Sequence, residues 1–153
     1  MDRLHLVLLL AFLAFATATR ADDRTTTIDV KATVKGACQI SSSAEINFNN
    51  LDPADTTDKS ASGSLTFWCT KDQPYTISFN NGQNFAGGKR QMRGVTTTTA
   101  YIPYELSSTT ITGTGRGPAT PVTVPIPATV KATDYRNAAL GAYKDTLTVT
   151  LQN

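Results

Sequence analysis

The chain has 153 residues, 17% of them charged, and a formal net charge of +2 at pH 7. This length allows one domain, and the small net charge without a basic block argues against nucleic-acid binding. The only histidine is His5, near the amino terminus, so a histidine-activated nucleophile is not expected. We therefore expect no enzyme and no cofactor; the one enzyme class left open is a glycosidase, because spacing alone does not reveal a carboxylate pair.

The first 21 residues have the pattern of a secretory signal peptide. The segment 4–16 is almost wholly apolar and follows Arg3. It is shorter than the roughly 20 residues that a transmembrane helix needs. Small residues place the expected cleavage after Ala18 or Ala21. We therefore expect an exported protein that does not span the membrane, with one domain at residues 22–153.

The exported chain opens with an arm, residues 22–34, in which apolar and polar residues alternate. Asp29 and Lys31 fall on the opposite parity from the apolar residues. A period of two is typical of a strand with one dry and one wet face. The apolar side chains of the arm are those of Ile28, Val30, Ala32 and Val34.

Short alternating runs separated by turn signals follow the arm, and they indicate an all-β sandwich without helices. Pro103 favours an edge position or a bulge for the run at 100–106, and flanking prolines favour an edge position for the run at 121–126. The segments 52–64, 112–117 and 131–141 are predicted to be loops and connections. Strands are expected at 45–48, 64–70, 74–80, 100–106, 121–126 and 143–152.

Two cysteines, Cys38 and Cys69, lie in the exported part of the chain. An even number of cysteines in an oxidising compartment favours a disulfide, and a metal site would need further ligands. The loop so closed spans 31 residues. Chain-entropy arithmetic gives such a crosslink about 3–4 kcal/mol of stabilisation.

Two charged clusters favour ordinary surface loops over binding sites. Lys89, Arg90 and Arg93 lie close together, which is more typical of a solvated loop than of a binding patch. The acidic residues of 52–58 recur every three positions, but no EF-hand loop follows them. A loop rich in turn formers is therefore favoured over a calcium site.

Three aromatic residues leave a sugar-binding surface open as an alternative. In the run 64–70, Leu65, Phe67 and Cys69 share the inner face, so Trp68 should point outward. Packing under a loop is the commoner arrangement for such a residue. The side chains that could stack on sugars are Trp68, Tyr101 and Tyr104.

The carboxyl-terminal segment suggests that the sandwich lacks a strand. The alternating run 143–152 is followed only by Asn153. An immunoglobulin-like sandwich normally has a further strand that covers the core and satisfies the sheet edge. The arm at 22–34 is a spare strand-like segment, but one sequence does not show which segments pair.

Several short motifs occur in order along the exported chain, and together they resemble those of a known protein family. The longest is GAYKDTLTVT at 141–150. The others are the arm ending at Cys38, INF at 46–48 with Asp52-Pro53 behind it, CT at 69–70 with YTI at 75–77, YEL at 104–106, and TGTG at 112–115. The chain resembles the spore coat protein U domain family, which includes the pilin subunits of Csu-type (archaic) chaperone–usher pili. One departure is Asn49, where the family usually has glycine; asparagine can also adopt a positive φ.

The resemblance implies an incomplete immunoglobulin-like sandwich with an N-terminal donor-strand arm. It implies a structural subunit of a secreted surface fimbria, assembled by donor-strand complementation and supporting adhesion and biofilm formation. The implied partners are a periplasmic chaperone, an outer-membrane usher and neighbouring pilin subunits. The implied disulfide holds the first strand to the second. The implied donor residues are Ile28, Val30, Ala32 and Val34, and the implied acceptor residues are Leu147, Val149 and Leu151.

Two other functions remain as alternatives at this stage. The first is a secreted or spore-coat structural protein whose arm folds into its own groove, so that no polymer forms. The second is a carbohydrate-binding module.

Overall fold

The computed structural model describes residues 22–153, so the predicted signal peptide lies outside the described residues. The chain divides into two units, Met1–Thr33 and Val34–Asn153. All strands described below belong to the second unit. Within residues 22–153, no helix is long and apolar enough to cross a membrane.

The second unit consists of two antiparallel sheets, which confirms the all-β prediction. The larger sheet has the strand order β1-β2-β7-β5-β4-β8, and the smaller sheet has the order β6-β3-β9. The elements are β1 Cys38–Ala44, β2 Lys59–Cys69, β3 Pro74–Phe79, β4 Arg90–Gly94, β5 Tyr101–Leu106, β6 Thr110–Thr114, β7 Val122–Val130, α1 Ala132–Tyr135, β8 Tyr143–Lys144 and β9 Val149–Gln152.

One core lies between the two sheets and is built by the alternation of β2 and β3. Leu65, Phe67 and Cys69 are buried on the inner face of β2, as predicted. They meet the inner face of β3, where Tyr75 packs its ring edge-on against Phe67 with centroids 4.8 Å apart. Such aromatic pairs stabilise a core by about 0.5–1.5 kcal/mol beyond the area they bury.

A second core lies under β5 and the short helix α1. Its buried residues are Ile102, Tyr104, Val130, Ala132 and Tyr135. The Tyr135 hydroxyl donates a hydrogen bond to a backbone carbonyl 78 residues earlier in the chain, at 2.7 Å. The helix therefore closes one end of the sandwich, although the polarity of 131–141 had indicated only a loop.

Several strand boundaries differ from the sequence prediction because tertiary pairing overrides local composition. The polar segment 59–63 continues β2, since it pairs along its length with β7. The segment 110–114 forms β6 on β3, although glycines had indicated a turn. The segment 45–48 forms no strand and follows β1 as an irregular stretch.

The run predicted as one strand at 143–152 is two strands in different sheets. β8 pairs with β4 in the larger sheet, and β9 pairs with β3 in the smaller one. The intervening residues 145–148 cross between the sheets. A single alternating pattern fits both strands because the odd-numbered residues face the interior in β8 and again in β9, after the crossing.

The prolines lie in strands that pair with one of their neighbours over only part of their length, and not in edge strands. β7 lies between β2 and β5, but it pairs with β5 only through Thr129 and Ala128. Pro125 and Pro127 pair with β2, and the Pro127 carbonyl also accepts the Ser107 N–H at 3.0 Å, a bond that needs no N–H from proline. Asn49 adopts φ 54°, the left-handed conformation expected for it.

The arm forms no strand in this structure. Residues 22–37 have no regular secondary structure, and Ile28 and Val30 are 83% and 93% exposed. Alternation gives a segment the capacity to form a strand, but a strand exists only where a partner supplies its backbone hydrogen bonds. The strand predicted from the pattern of the arm is therefore absent from these residues.

Candidate functional site

An apolar groove of about 600 Å³ opens on the surface of the sandwich. Its first wall is the stretch after β1, and its second wall runs from β8 through the crossing 145–148 to the start of β9. Side chains from five strands lie between the walls, and each of them belongs to one of the two cores or packs against it. These side chains, which form the groove floor, are Leu65, Phe79, Met92, Tyr104 and Ile126.

Both walls present apolar side chains to the groove. Ile46 and Phe48 are half-buried on the first wall, and Leu147 and Val149 are half-buried on the second. Extended segments with one apolar face bind in grooves of this kind, since alternate side chains enter while the backbone bonds to a strand edge.

The strands with an open edge beside the groove include β1 and β9. Within residues 22–153, β1 pairs only with β2, and β9 pairs only with β3. Ala44, at the end of β1, and Val149, at the start of β9, both line the groove. Backbone N–H and C=O groups on such edges are available to an added strand. The groove therefore offers apolar surface and backbone hydrogen bonds together.

Asp145 fixes the second wall to the rest of the sandwich. Its Oδ1 accepts hydrogen bonds from the backbone N–H groups of Gln83 at 3.0 Å and Asn84 at 3.3 Å, and from Asn84 Nδ2 at 2.9 Å. Its Oδ2 accepts a hydrogen bond from the Tyr104 hydroxyl at 2.7 Å. One carboxylate therefore joins the crossing, the turn after β3 and the groove floor.

Asn80 holds the other end of the crossing. Its Oδ1 accepts hydrogen bonds from the backbone N–H of Thr148 at 2.9 Å and that of Gly82 at 3.0 Å. Its backbone carbonyl accepts hydrogen bonds from Arg90 Nε at 3.0 Å and Nη2 at 2.9 Å. The crossing is thus tied down at both ends, which keeps the groove open on a rigid frame.

Burial raises the pKa of Tyr104 well above its ordinary value of 10.0, and the hydrogen bond to Asp145 raises this pKa further. The tyrosine hydroxyl is therefore protonated at neutral pH and serves as a donor to the carboxylate. Its role is to position the wall, because the proton is held too tightly for acid–base chemistry near neutrality.

The root of the arm is anchored where β1 begins. Cys38 and Cys69 form the predicted disulfide between β1 and β2. Thr70 donates its backbone N–H to the Ala37 carbonyl at 2.8 Å, and its Oγ1 accepts the Ala37 N–H at 3.0 Å. The Thr70 hydroxyl also lies 3.3 Å from the Lys35 carbonyl. The segment that leads out of the arm is therefore held at a defined point.

The predicted donor and acceptor residues lie in different surroundings. Val34 is 82% exposed, and all four predicted donor side chains, Ile28, Val30, Ala32 and Val34, are exposed. Leu147 and Val149 line the groove, whereas Leu151 does not. Leu151 pairs with the fully buried Ile77 and packs against the main core, two residue pairs further along β9 than Val149. The donor and acceptor roles stay predictions at this point.

The other candidate residues serve local structure. Asp52 caps the Ala54 N–H at 2.9 Å, Asp58 caps the Ala132 N–H at 2.8 Å, and Asp55 pairs with a lysine. The described part of the chain holds no group of three His, Cys, Asp or Glu residues arranged for a metal ion. Tyr104 lies on the groove floor, so the three aromatic residues do not form one stacking surface.

The family model of the Spore Coat Protein U domain matches residues 24–150. The chain belongs to this family. No curated protein matches the sequence closely enough to be called a relative. The family match covers nearly all of the described chain, from the arm to β9.

Two solved structures were found to be similar to parts of this chain, and the first of them supports the fold. One is a chain in the crystal structure of the CsuC–CsuE chaperone–tip adhesion subunit pre-assembly complex from the archaic chaperone–usher Csu pili of Acinetobacter baumannii; its TM-score is 0.54 and its sequence identity is 22%. The match covers 79% of this chain and 41% of that one, so this chain spans less than half the length of its structural neighbour. The other is a chaperone–tip adhesin complex of CFA/I fimbriae, with a TM-score of 0.45, 16% identity, and 74% and 41% coverage.

The sequence prediction missed the first wall and the residues that hold the second wall. Ile46 and Phe48 were expected in a strand, whereas they line the groove from an irregular stretch. Asp145 interrupts the apolar alternation of 143–152, and that break was the available signal for a crossing. Its partners Gln83 and Asn84 gave no comparable signal, since they lie in a polar turn.

Proposed function

We propose that this Spore Coat Protein U protein is a structural subunit of a surface pilus, assembled through donor-strand complementation. The observation that carries the proposal is the combination of an exposed alternating arm and an open apolar groove in one chain. In a polymer, the arm of one subunit would occupy the groove of the next. Such a head-to-tail contact uses two different surfaces of each subunit and therefore generates an open filament.

The period of the arm suits the groove. In an extended strand, alternate residues lie about 6.6 Å apart on one face. Ile28, Val30 and Val34 would bury their side chains against the groove floor and walls, with Ala32 between them where space is short. Each of the three larger side chains would contribute about 1.5–3 kcal/mol on full burial. The backbone of the arm would pair with the free edges of β1 and β9.

The charged residues of the arm, which alternate with its apolar residues, would remain outside the groove. Asp29 and Lys31 are exposed and pair with each other at 3.5 Å. With the apolar residues inserted, both side chains would face solvent at the rim, where Glu45 and Lys144 are also exposed. An inserted arm would thus bury no unpaired charge, which would otherwise cost several kcal/mol.

The assembly route follows from the open groove. A subunit whose groove is empty exposes apolar surface and strand edges, which favour aggregation. A periplasmic chaperone would supply a temporary strand, and an outer-membrane usher would exchange it for the arm of the next subunit. The pilus would then be exposed at the cell surface and support adhesion and biofilm formation. The chaperone–subunit complex described for the structural neighbour motivates this choice of partners.

Deletion of residues 25–34 tests the proposal directly. Unboiled material on a denaturing gel should show a ladder of polymers for the complete chain and monomers for the deletion variant. A ladder that persists without the arm would refute donor-strand assembly. Mixing two differently tagged versions separates polymerisation from self-complementation, because only an arm that enters a neighbour gives mixed oligomers.

A pair of point variants tests the face of the arm. Val30→Asp would place a charge in the groove and should abolish the ladder. Lys31→Asp, one residue away on the outer face, changes the net charge by more but should leave polymers intact. Equal loss in both variants would show that overall charge, and not apolar insertion, decides assembly.

A further inference from the structure

A row of three exposed side chains crosses the outer face of β5, β4 and β8. Arg93 on β4 pairs directly with Tyr101 on one side and with Lys144 on the other. Directly paired residues of antiparallel strands share a face, with Cβ atoms about 4.5–5.5 Å apart. The row therefore places two cations beside each other and an aromatic ring next to them. Like charges in this arrangement destabilise a sheet.

Neither cation has a carboxylate partner among the described residues. The ion pairs in residues 22–153 are Lys31–Asp29, Lys59–Asp55 and Lys131–Glu105. Asp145 lies nearby, but its two oxygens already accept four hydrogen bonds from Gln83, Asn84 and Tyr104. Neither Arg93 nor Lys144 is therefore in a salt bridge, and with the Asp145 carboxylate counted the three charged side chains at this place carry a formal net charge of +1.

A polar cleft of about 440 Å³ opens beside the two cations. This volume lies within the roughly 300–1,000 Å³ typical of small-ligand sites. Arg93 Nε donates to the Thr98 carbonyl at 2.8 Å, which fixes the guanidinium and leaves its two terminal nitrogens available. Such a fork binds a carboxylate with two parallel hydrogen bonds. The other polar side chains at the cleft are those of Gln83, Asn84, Thr98, Asp145 and Thr146.

We propose that this cleft binds an acidic sugar, with the carboxylate of a uronic acid held by Arg93 and Lys144. Amide and hydroxyl side chains around the cations suit the ring hydroxyls of a sugar. Tyr101 pairs with Arg93 across the sheet but does not line the cleft, so it would contact only a part of the sugar that projects from the cleft. A bare phosphate or sulfate would use only the two cations. Val95, Lys144, Asp145 and Thr146 line both the cleft and the apolar groove, whereas Arg93 lines only the cleft, so a variant of Arg93 separates sugar binding from donor-strand assembly.

Titration of the assembled protein with glucuronate, glucose and inorganic sulfate tests the proposal. Glucuronate should bind saturably, glucose at least 10-fold more weakly, and sulfate should compete only at higher concentration. Arg93→Gln and Lys144→Gln should each weaken glucuronate binding 10-fold or more, and Tyr101→Ala should weaken it less. Lys71→Gln, which removes an exposed cation from the turn between β2 and β3, is the matched control and should bind as the unmodified chain does.

The outcomes are distinct from those for assembly. Arg93→Gln should still form the polymer ladder but should lose glucuronate binding. Because binding is measured separately from the ladder, a result against donor-strand assembly would leave the test of the sugar site unaffected. Glucuronate binding unchanged by Arg93→Gln and Lys144→Gln would refute the site. Sulfate that binds as tightly as glucuronate would refute the sugar assignment. Melting curves of each variant verify that the sandwich is folded.

Discussion

The hydroxyl of Tyr104 donates a 2.7 Å hydrogen bond to Asp145, and this contact joins the floor of the apolar groove to its second wall. The two residues are 41 positions apart, with Tyr104 on β5 and Asp145 at the start of the crossing between the sheets. A groove that must accept an extended segment needs walls that do not collapse onto its floor. The buried tyrosine and the carboxylate supply that spacing.

Replacing Asp145 with alanine should destabilise the sandwich by about 2–3 kcal/mol, because the donors of Tyr104, Gln83 and Asn84 lose their shared acceptor. Denaturant unfolding of the variant measures the loss. Glu105→Ala is the control: it removes an exposed carboxylate that pairs with Lys131, and such surface pairs contribute about 0–1 kcal/mol. Equal losses in the two variants would contradict a structural role for the Asp145 network.

The sequence predicted the architecture better than it predicted the boundaries. Leu65, Phe67 and Cys69 alternate strictly, so the inner face of β2 was identifiable before any partner was known. The segment 59–63 carries no such pattern, and only its pairing with β7 makes it a strand. Pairing is a property of two segments distant in sequence, and a single alternating pattern contains no information about it.

The candidate site was predictable in part for the same reason. Leu147 and Val149 share the inner parity, which brings them to the groove. Leu151 has that parity too, but it sits opposite Ile77 and packs against the main core without lining the groove. Parity identifies the inner face, whereas depth along the strand depends on how the sheets splay apart. The first wall, at Ile46 and Phe48, is irregular and has no period to detect.

Tyr104→Phe should reduce stability at neutral pH by about 1–3 kcal/mol, and this difference should shrink in alkali. The folded pKa of Tyr104 is raised by burial and by Asp145 above the unfolded value of 10.0. The unfolded state therefore loses its proton first, so the stabilising contribution is complete below pH 10.0 and declines as the pH rises beyond it. Unfolding free energies measured on both sides of that pH should show the unmodified chain losing stability more steeply than the variant. Parallel curves would contradict the assignment.

Reduction of the Cys38–Cys69 disulfide should cost about 3–4 kcal/mol, since the crosslink closes a loop of 31 residues. The effect should be largest in β1, because this strand pairs only with β2 within the described chain and most of its side chains are exposed. Hydrogen exchange on the reduced protein should therefore show loss of protection in β1 before β3.

A double variant with alanine at positions 38 and 69 distinguishes the crosslink from the reducing agent. It should behave as the reduced protein does, in the presence or absence of reductant. Protection of β1 that is unchanged in this variant would show that its ladder with β2 suffices without the disulfide.

Leu147→Ala should weaken the polymer without preventing folding. Leu147 is half-buried on the second wall and packs against the edge of the second core, so truncation removes apolar contact from an occupant of the groove and also some contact from that core. A loss of about 1.5–3 kcal/mol per subunit contact corresponds to roughly 10- to 150-fold weaker association. The temperature at which the ladder dissociates in detergent measures this change.

Leu140→Ala is the matched control, because Leu140 is fully exposed and does not line the groove. Its ladder should dissociate at the same temperature as that of the unmodified chain. Leu151→Ala should behave differently from both: it opens space beside Ile77 in the main core, so the subunit itself should lose about 2–5 kcal/mol of folding stability. If Leu147→Ala lowered subunit stability as much as Leu151→Ala and left the ladder unchanged, position 147 would belong to the core and the groove would have no occupant on that wall.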